Sequence, residues 1–247
     1  MPRPGAPRGH WLRRIGAAQP TGWEDVLQTV ALLQALGSES ADRRQRAALS
    51  SVDEVPVPVE ALVEAVLGEA DTNVAGALRW ALAQSGDGGV PLLAEGLGSP
   101  VAEVRKRAVQ SLAEIPYDEA TAVLRDALAH TDLVVRRCAA LALGAREVAD
   151  AVPTLIDMVV EEANVVDAAE ALSALASGPA SADQITDGLV AFLADGAVDA
   201  SARLRLTQAL AEIPGSAASR ALADLSRDED RTIALTAAYI LKLREVS

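Results

Sequence analysis

The pentapeptide LAEIP at Leu112–Pro116 returns as LAEIP at Leu210–Pro214, and a relative, VDEVP, stands at Val52–Pro56. Setting the first residue of each in register aligns Val52, Leu82, Leu112, Leu143, Leu175, Leu210 and Leu241, at spacings of 30, 30, 31, 32, 35 and 31 residues. A period of about 31 residues sustained from Trp23 onward is the mark of a stacked repeat. Seven units fit.

The residues around each anchor give the unit its form. Four before it stand Ala48, Leu78, Ala108, Ala139, Ala171, Leu206 and Ala237. One before it stand Ser51, Ala81, Ser111, Ala142, Ala174, Ala209 and Ile240. This is a mostly small, apolar stripe at helical spacing, and small side chains let helices approach closely. The stripe is expected to be core. Eleven before the anchor stand Asp71, Asp132, Asn164, Asp199 and Asp230. Short side-chain oxygens there can accept from the free N–H groups of a first helical turn. The third unit offers Ser99 then Pro100, a cap followed by a first-turn proline, and in the first unit Asp42 is displaced by one. Each unit therefore predicts two helices joined by a short turn.

The first helices read WEDVLQTVALLQAL, VEALVEAVLG, GVPLLAEGLG, ATAVLRDALA, VPTLIDMVVEEA, ITDGLVAFLAD and SRALADLSR. They carry Glu60, Glu64, Glu95, Asp126, Asp157, Glu161, Glu162, Asp187, Asp195 and Asp224. One buried face and one solvated, acidic face are expected.

Composition agrees with a helical stack. The 247 residues hold 22 basic and 35 acidic side chains, net −13; half are hydrophobic, yet only 2% are aromatic. The β-branched and aromatic enrichment of a sheet protein is missing. The single Cys138 excludes an intramolecular disulfide, and His10 and His130 are the only histidines. No HExxH or CxxC occurs, so a metal site would have to be all-carboxylate, and no cofactor is expected. No apolar run reaches the length of a membrane span. Arg3, Arg8, Arg13 and Arg14 precede no apolar core of a secretion signal, so the cytoplasm is the expected compartment. Lys106 and Lys242 are the only lysines, a bias that points to a GC-rich coding genome.

TDLVVRRCAALALG (Thr131–Gly144) and PVAEVRKRAVQSLAEI (Pro100–Ile115) resemble the HEAT repeat, in particular its short, phycobilisome-lyase-type form. The resemblance covers residues 23–247. It implies an all-α, right-handed α-solenoid, armadillo/HEAT-like, of about seven two-helix repeats, with the second helices lining the concave side.

That placement singles out three positions on each second helix. Two before the anchor stand Ser50, Trp80, Gln110, Leu141, Ser173, Gln208 and Tyr239; five before stand Ala47, Ala77, Arg107, Cys138, Glu170, Arg205 and Thr236. Nine before stand Arg43, Asn73, Glu103, Val134, Val166, Ser201 and Thr232. These vary in size and charge where the core stripe does not, which fits a binding face and fits plain exposure equally. The candidate contact residues are Trp80, Arg107, Gln110, Arg137, Leu141, Arg205, Gln208 and Tyr239. Trp80 and Tyr239 stand out in a chain so poor in aromatics, because exposed aromatics beside arginine typify interface hot spots. They could equally fill gaps between Ala-rich helices. Arg105, Arg136 and Arg203 recur seven before the anchor, and the resemblance implies a ladder with acids of neighbouring repeats. Asp167 and Glu170 would interrupt a phosphate track. Cys138 reads as a small apolar filler, and His130 as an exposed turn residue.

Residues 1–22 hold four arginines and no acid, against 18 basic and 35 acidic residues beyond them. They read as a basic, Pro/Gly-rich flexible arm, in which HWLRRIG could form a short helix. The longest spacing places an enlarged loop around Ser177–Asp187.

No catalytic constellation appears. The expected function is a non-catalytic scaffold or adaptor that binds a protein partner through its concave face, with no nucleic acid or membrane partner. Alternatives are an enzyme on the same fold, like alkylpurine DNA glycosylases or bilin lyases, or a regulatory subunit docking through its basic arm. A net charge of −13 disfavours a phosphate backbone, and the His-Glu pairs of HEAT-type deoxyhypusine hydroxylases are lacking. The sequence leaves oligomeric state open.

Overall fold

The computed structural model describes residues 22–53, 57–162, 164–177 and 182–246. Fourteen α-helices and no strand occur among them. They form seven consecutive pairs of an all-α, HEAT/armadillo-like solenoid. The chain divides into two compact units between Tyr117 and Asp118. The first unit holds α1 (Trp23–Leu36) with α2 (Ala41–Asp53), α3 (Val59–Gly68) with α4 (Thr72–Gln84), and α5 (Val90–Leu97) with α6 (Ala102–Glu114). The second holds α7 (Asp118–Ala127) with α8 (Leu133–Ala145), α9 (Val152–Val160) with α10 (Val165–Ser177), α11 (Ala182–Ala194) with α12 (Ala200–Ala209), and α13 (Ser216–Leu225) with α14 (Arg231–Val246). Basic-arm residues 1–21, HWLRRIG included, and Glu54–Pro56 lie outside the described residues.

The aspartate caps start the second helices as the spacing predicts. Asp71 accepts from the N–H groups of Asn73 and Val74, Asp132 from Val134, Asp199 from Ala202, and Asp230 from Thr232 and Ile233. Two expectations differ. Asn164 takes a left-handed φ of 51° and donates its side-chain amide to Asp167 instead of capping. Ser99 accepts from Val101 N–H, so α6 begins only at Ala102 and Pro100 stays in the turn. Of the enlarged loop expected around Ser177–Asp187, residues 178–181 lie outside the described residues, and α11 is already helical from Ala182.

The repeated stripe is the core. Leu82, Leu112, Leu143, Leu175 and Leu210 are buried, as are Ala48, Leu78, Ala108, Ala139, Leu206 and Ala237. The stripe fails at α10, where Ala171 is half-buried and Ala174 exposed. There α12 packs chiefly on α14, α9 and α11, and part of α10 stays open. Ten of ten acids named on the first helices are exposed, which gives the two-faced helices the sequence implies. Close approach sets some identities. A Cβ on Gly144 of α8 would come within 2.8 Å of Ala171 Cβ on α10, and one on Gly188 within 2.9 Å of Ile156.

Candidate functional site

First and second helices differ in what they expose. First helices show carboxylates to solvent. Second helices expose apolar side chains: Leu49 and Trp80 in the first unit, and Leu133, Val134, Val166, Leu235, Tyr239 and Leu243 in the second. Among first helices only α1 and α11 expose large apolar residues, namely Trp23, Leu27 and Val190.

The three variable positions are not one surface. The position nine before the anchor lies in the opening turn of each second helix and is exposed in all seven repeats. The position five before leans back onto the preceding repeat. Arg107 donates from Nη1 to the Leu67 carbonyl at the end of α3, 2.9 Å away. Arg205 donates from Nε to the Val159 carbonyl at 2.9 Å, from Nη2 to the Val160 carbonyl at 2.6 Å, and from Nη1 to Glu162. Both guanidinia therefore close the carbonyl end of a neighbouring first helix, where four acceptors lack intrahelical partners and cations are favoured. The position two before leans forward: the Ser173 hydroxyl donates to the Glu212 carbonyl of the next repeat.

Each candidate follows from this geometry. Trp80 is 41% exposed on α4, and Gln110 is half-buried on α6. Leu141 is half-buried on α8, Gln208 is exposed on α12, and Tyr239 is 64% exposed on α14. Arg137 pairs through Nη2 with Glu161 at 2.9 Å, while its buried Nε has no hydrogen-bond acceptor. Arg137 joins Arg136, Asp157 and Glu161 around a shallow cleft between α8 and α9. Burial and the neighbouring Glu161 push the Asp157 carboxyl above its ordinary range, against the opposing pull of Arg136.

The arginine ladder is of two kinds. Arg203 reaches Asp228 of the next repeat at 2.6 Å. Arg105 and Arg136 donate to the Ser99 and His130 carbonyls of their own turns. Arg44, one position off the register, does both: it grips Glu69 of the next repeat with two bonds and holds the Ser38 carbonyl. Glu69 is 6% exposed, and burial alone would raise its carboxyl; Arg44 and the N–H groups of Asp71 and Ala70 outweigh this and hold it below the ordinary range. Asp228 is likewise lowered, first by the Asp230 N–H and then by Arg203, against burial. Glu69, His130 and Asp228 share one role, since each stands two before a capping aspartate and accepts its N–H. His130 is half-buried in that turn, where an exposed residue was expected.

Sequence reasoning missed the exposed Leu235 and Leu243 of α14. The signal was weak: six before the anchor stand Arg46, Gly76, Lys106, Arg137, Ala169 and Leu204 in the other repeats, so a leucine there is not peculiar to α14. No group of three or more metal-ligating side chains occurs among the described residues. No described helix is long and apolar enough to cross a membrane.

A family model described as HEAT repeats matches residues 90–176. Those residues carry HEAT repeats. Among solved structures, the karyopherin Kap121p is 14% identical over 90% of this chain and 30% of its own length, with a TM-score of 0.54. The same karyopherin bound to the extreme C-terminus of the protein phosphatase Cdc14p matches over 87% of this chain and 29% of its own, with a TM-score of 0.53. The HEAT chain thus spans about three-tenths of the karyopherin's length. An engineered protein is 25% identical over 89% of this chain and 97% of its own, with a TM-score of 0.42. No curated protein matches the sequence.

Proposed function

We propose that this HEAT-repeat chain is a non-catalytic scaffold that binds a protein partner on the exposed surface of its second helices. One observation carries this reading: large apolar side chains reach solvent mainly from that row, while the first helices are coated with carboxylates. Exposed apolar area is the usual driving force of association, and a charged coat opposes it. Trp80 supplies an apolar anchor in the first unit, and Val134 and Val166 supply two in the second. Arg107 and Arg205 are engaged with neighbouring helix ends, and Arg137 with Glu161. The complex of the karyopherin Kap121p with the extreme C-terminus of a protein phosphatase offers a precedent for a similarly folded chain taking a protein segment.

The test compares capture from the source lysate by three forms of the chain. These are the wild type, a Trp80→Ser/Val134→Ser/Val166→Ser variant, and a Glu60→Gln/Glu64→Gln/Asp224→Asn variant, all with equal helicity. A protein held by the wild type and the first-helix variant but lost by the second-helix variant is expected. Loss only with the first-helix variant would contradict the proposal.

A further inference from the structure

The second unit repeats one contact surface and leaves it bare once. Three residues before the anchor, Ala140, Leu172 and Thr207 are fully buried, whereas Ala238 of α14 is exposed. Six before the anchor, Arg137, Ala169 and Leu204 are half-buried, whereas Leu235 is 61% exposed. One after it, Gly144 and Ala176 are buried, whereas Lys242 is exposed. On α8, α10 and α12 this side is where the following repeat rests, as the Ser173–Glu212 bond and the Arg137–Glu161 pair mark. On α14 the same side shows solvent a run of Leu235, Ala238 and Tyr239, and Leu243, at a position exposed in the other described repeats too, extends it. It has the spacing of a helix face built to be covered.

A second bare apolar helix is α1. Only Leu33 and Leu36 of its fourteen residues are buried, while Trp23 is 85% and Leu27 67% exposed. The two faces carry opposite charge. α14 exposes Arg231 and Lys242, while Arg244 turns inward to the Leu210, Ala211 and Ile213 carbonyls; α1 exposes Glu24 and Asp25 and holds no base.

We propose that α14 of one molecule packs against α1 of a second copy of this chain, head to tail. Apolar burial drives the contact and gives it no direction. Charge selects the pairing, because α14 against α14 opposes bases to bases and α1 against α1 opposes acids to acids. The two faces differ, so the contact is heterologous and each joined molecule still offers one face of each kind. The α14 face uses none of the anchors Trp80, Val134 and Val166 of the preceding section.

Sedimentation equilibrium of the full chain, from low to high micromolar, tests this. The wild type should grow in mass beyond a dimer as concentration rises. Leu27→Glu and Tyr239→Glu, both at well-exposed sites, should each remain monomeric with unchanged helicity. Their equimolar mixture should form a one-to-one dimer and nothing larger, because only one productive pairing remains. Trp23→Glu and Leu235→Glu should repeat the pattern. A wild type monomeric throughout the range would overturn the proposal, and so would a mixture that stays monomeric. Self-association of Leu27→Glu alone would overturn it in favour of a symmetric α14 contact.

Discussion

Arg205 shows how a single side chain joins two repeats. Its guanidinium meets two terminal carbonyls of α9 and the Glu162 carboxylate, which itself sits at a left-handed φ of 59°. Hydrogen bonds from a charged group are worth about 1.5–3 kcal/mol each when lost from a sheltered site. Arg205→Ala should therefore lower stability by about 2 kcal/mol in urea unfolding, whereas Gln208→Ala, exposed on the same helix, should change it by less than about 0.5 kcal/mol. Equal effects would mean that the arginine faces solvent. The sequence put both residues in a common stripe, since a 3.6-residue period places positions five and two before the anchor within one broad sector. It does not say which neighbour each flank meets. That depends on how repeats stack, which only long-range contacts fix.

The elements were largely legible, and for identifiable reasons. The quoted stretches WEDVLQTVALLQAL and VEALVEAVLG coincide with α1 and α3 residue for residue. Four capping aspartates give an unambiguous start. The failures sit where chemistry was ambiguous: Asn164 tolerates the left-handed region that a cap does not use, and Ser99 can bond two residues on without starting a helix. Gly144 looks from sequence like a weak point of α8, where alanine would gain up to about 1 kcal/mol in helix propensity. Its contact with Ala171 reverses the sign. Gly144→Ala should lower stability by about 1–3 kcal/mol through overpacking, and a raised melting temperature would place α8 and α10 further apart. The acid ties between repeats add a pH dependence. The native Glu69 and Asp228 carboxyls lie below their unfolded values, so their stabilisation is present above the ordinary carboxylate range and is lost as pH falls through the native values. Unfolding midpoints should therefore drop on acidification. Glu69→Gln should be less stable than wild type near neutrality, with the gap narrowing in acid. A gap constant with pH would remove Glu69 from this account.

At the scale of the whole molecule, one register accounts for fold and surface together. The anchor leucines and the small residues four before them build the core, and the remaining sides of the same helices face neighbours or solvent. Every surface assignment, including the proposed partner face and the head-to-tail contact, inherits that register. The most direct test compares two leucines two residues apart on α8 by equilibrium unfolding. Leu143 is fully buried and Leu141 half-buried. Leu143→Ala should cost about 2–5 kcal/mol, and Leu141→Ala about 1 kcal/mol. Equal costs, or a larger one at Leu141, would shift the register and contradict the account.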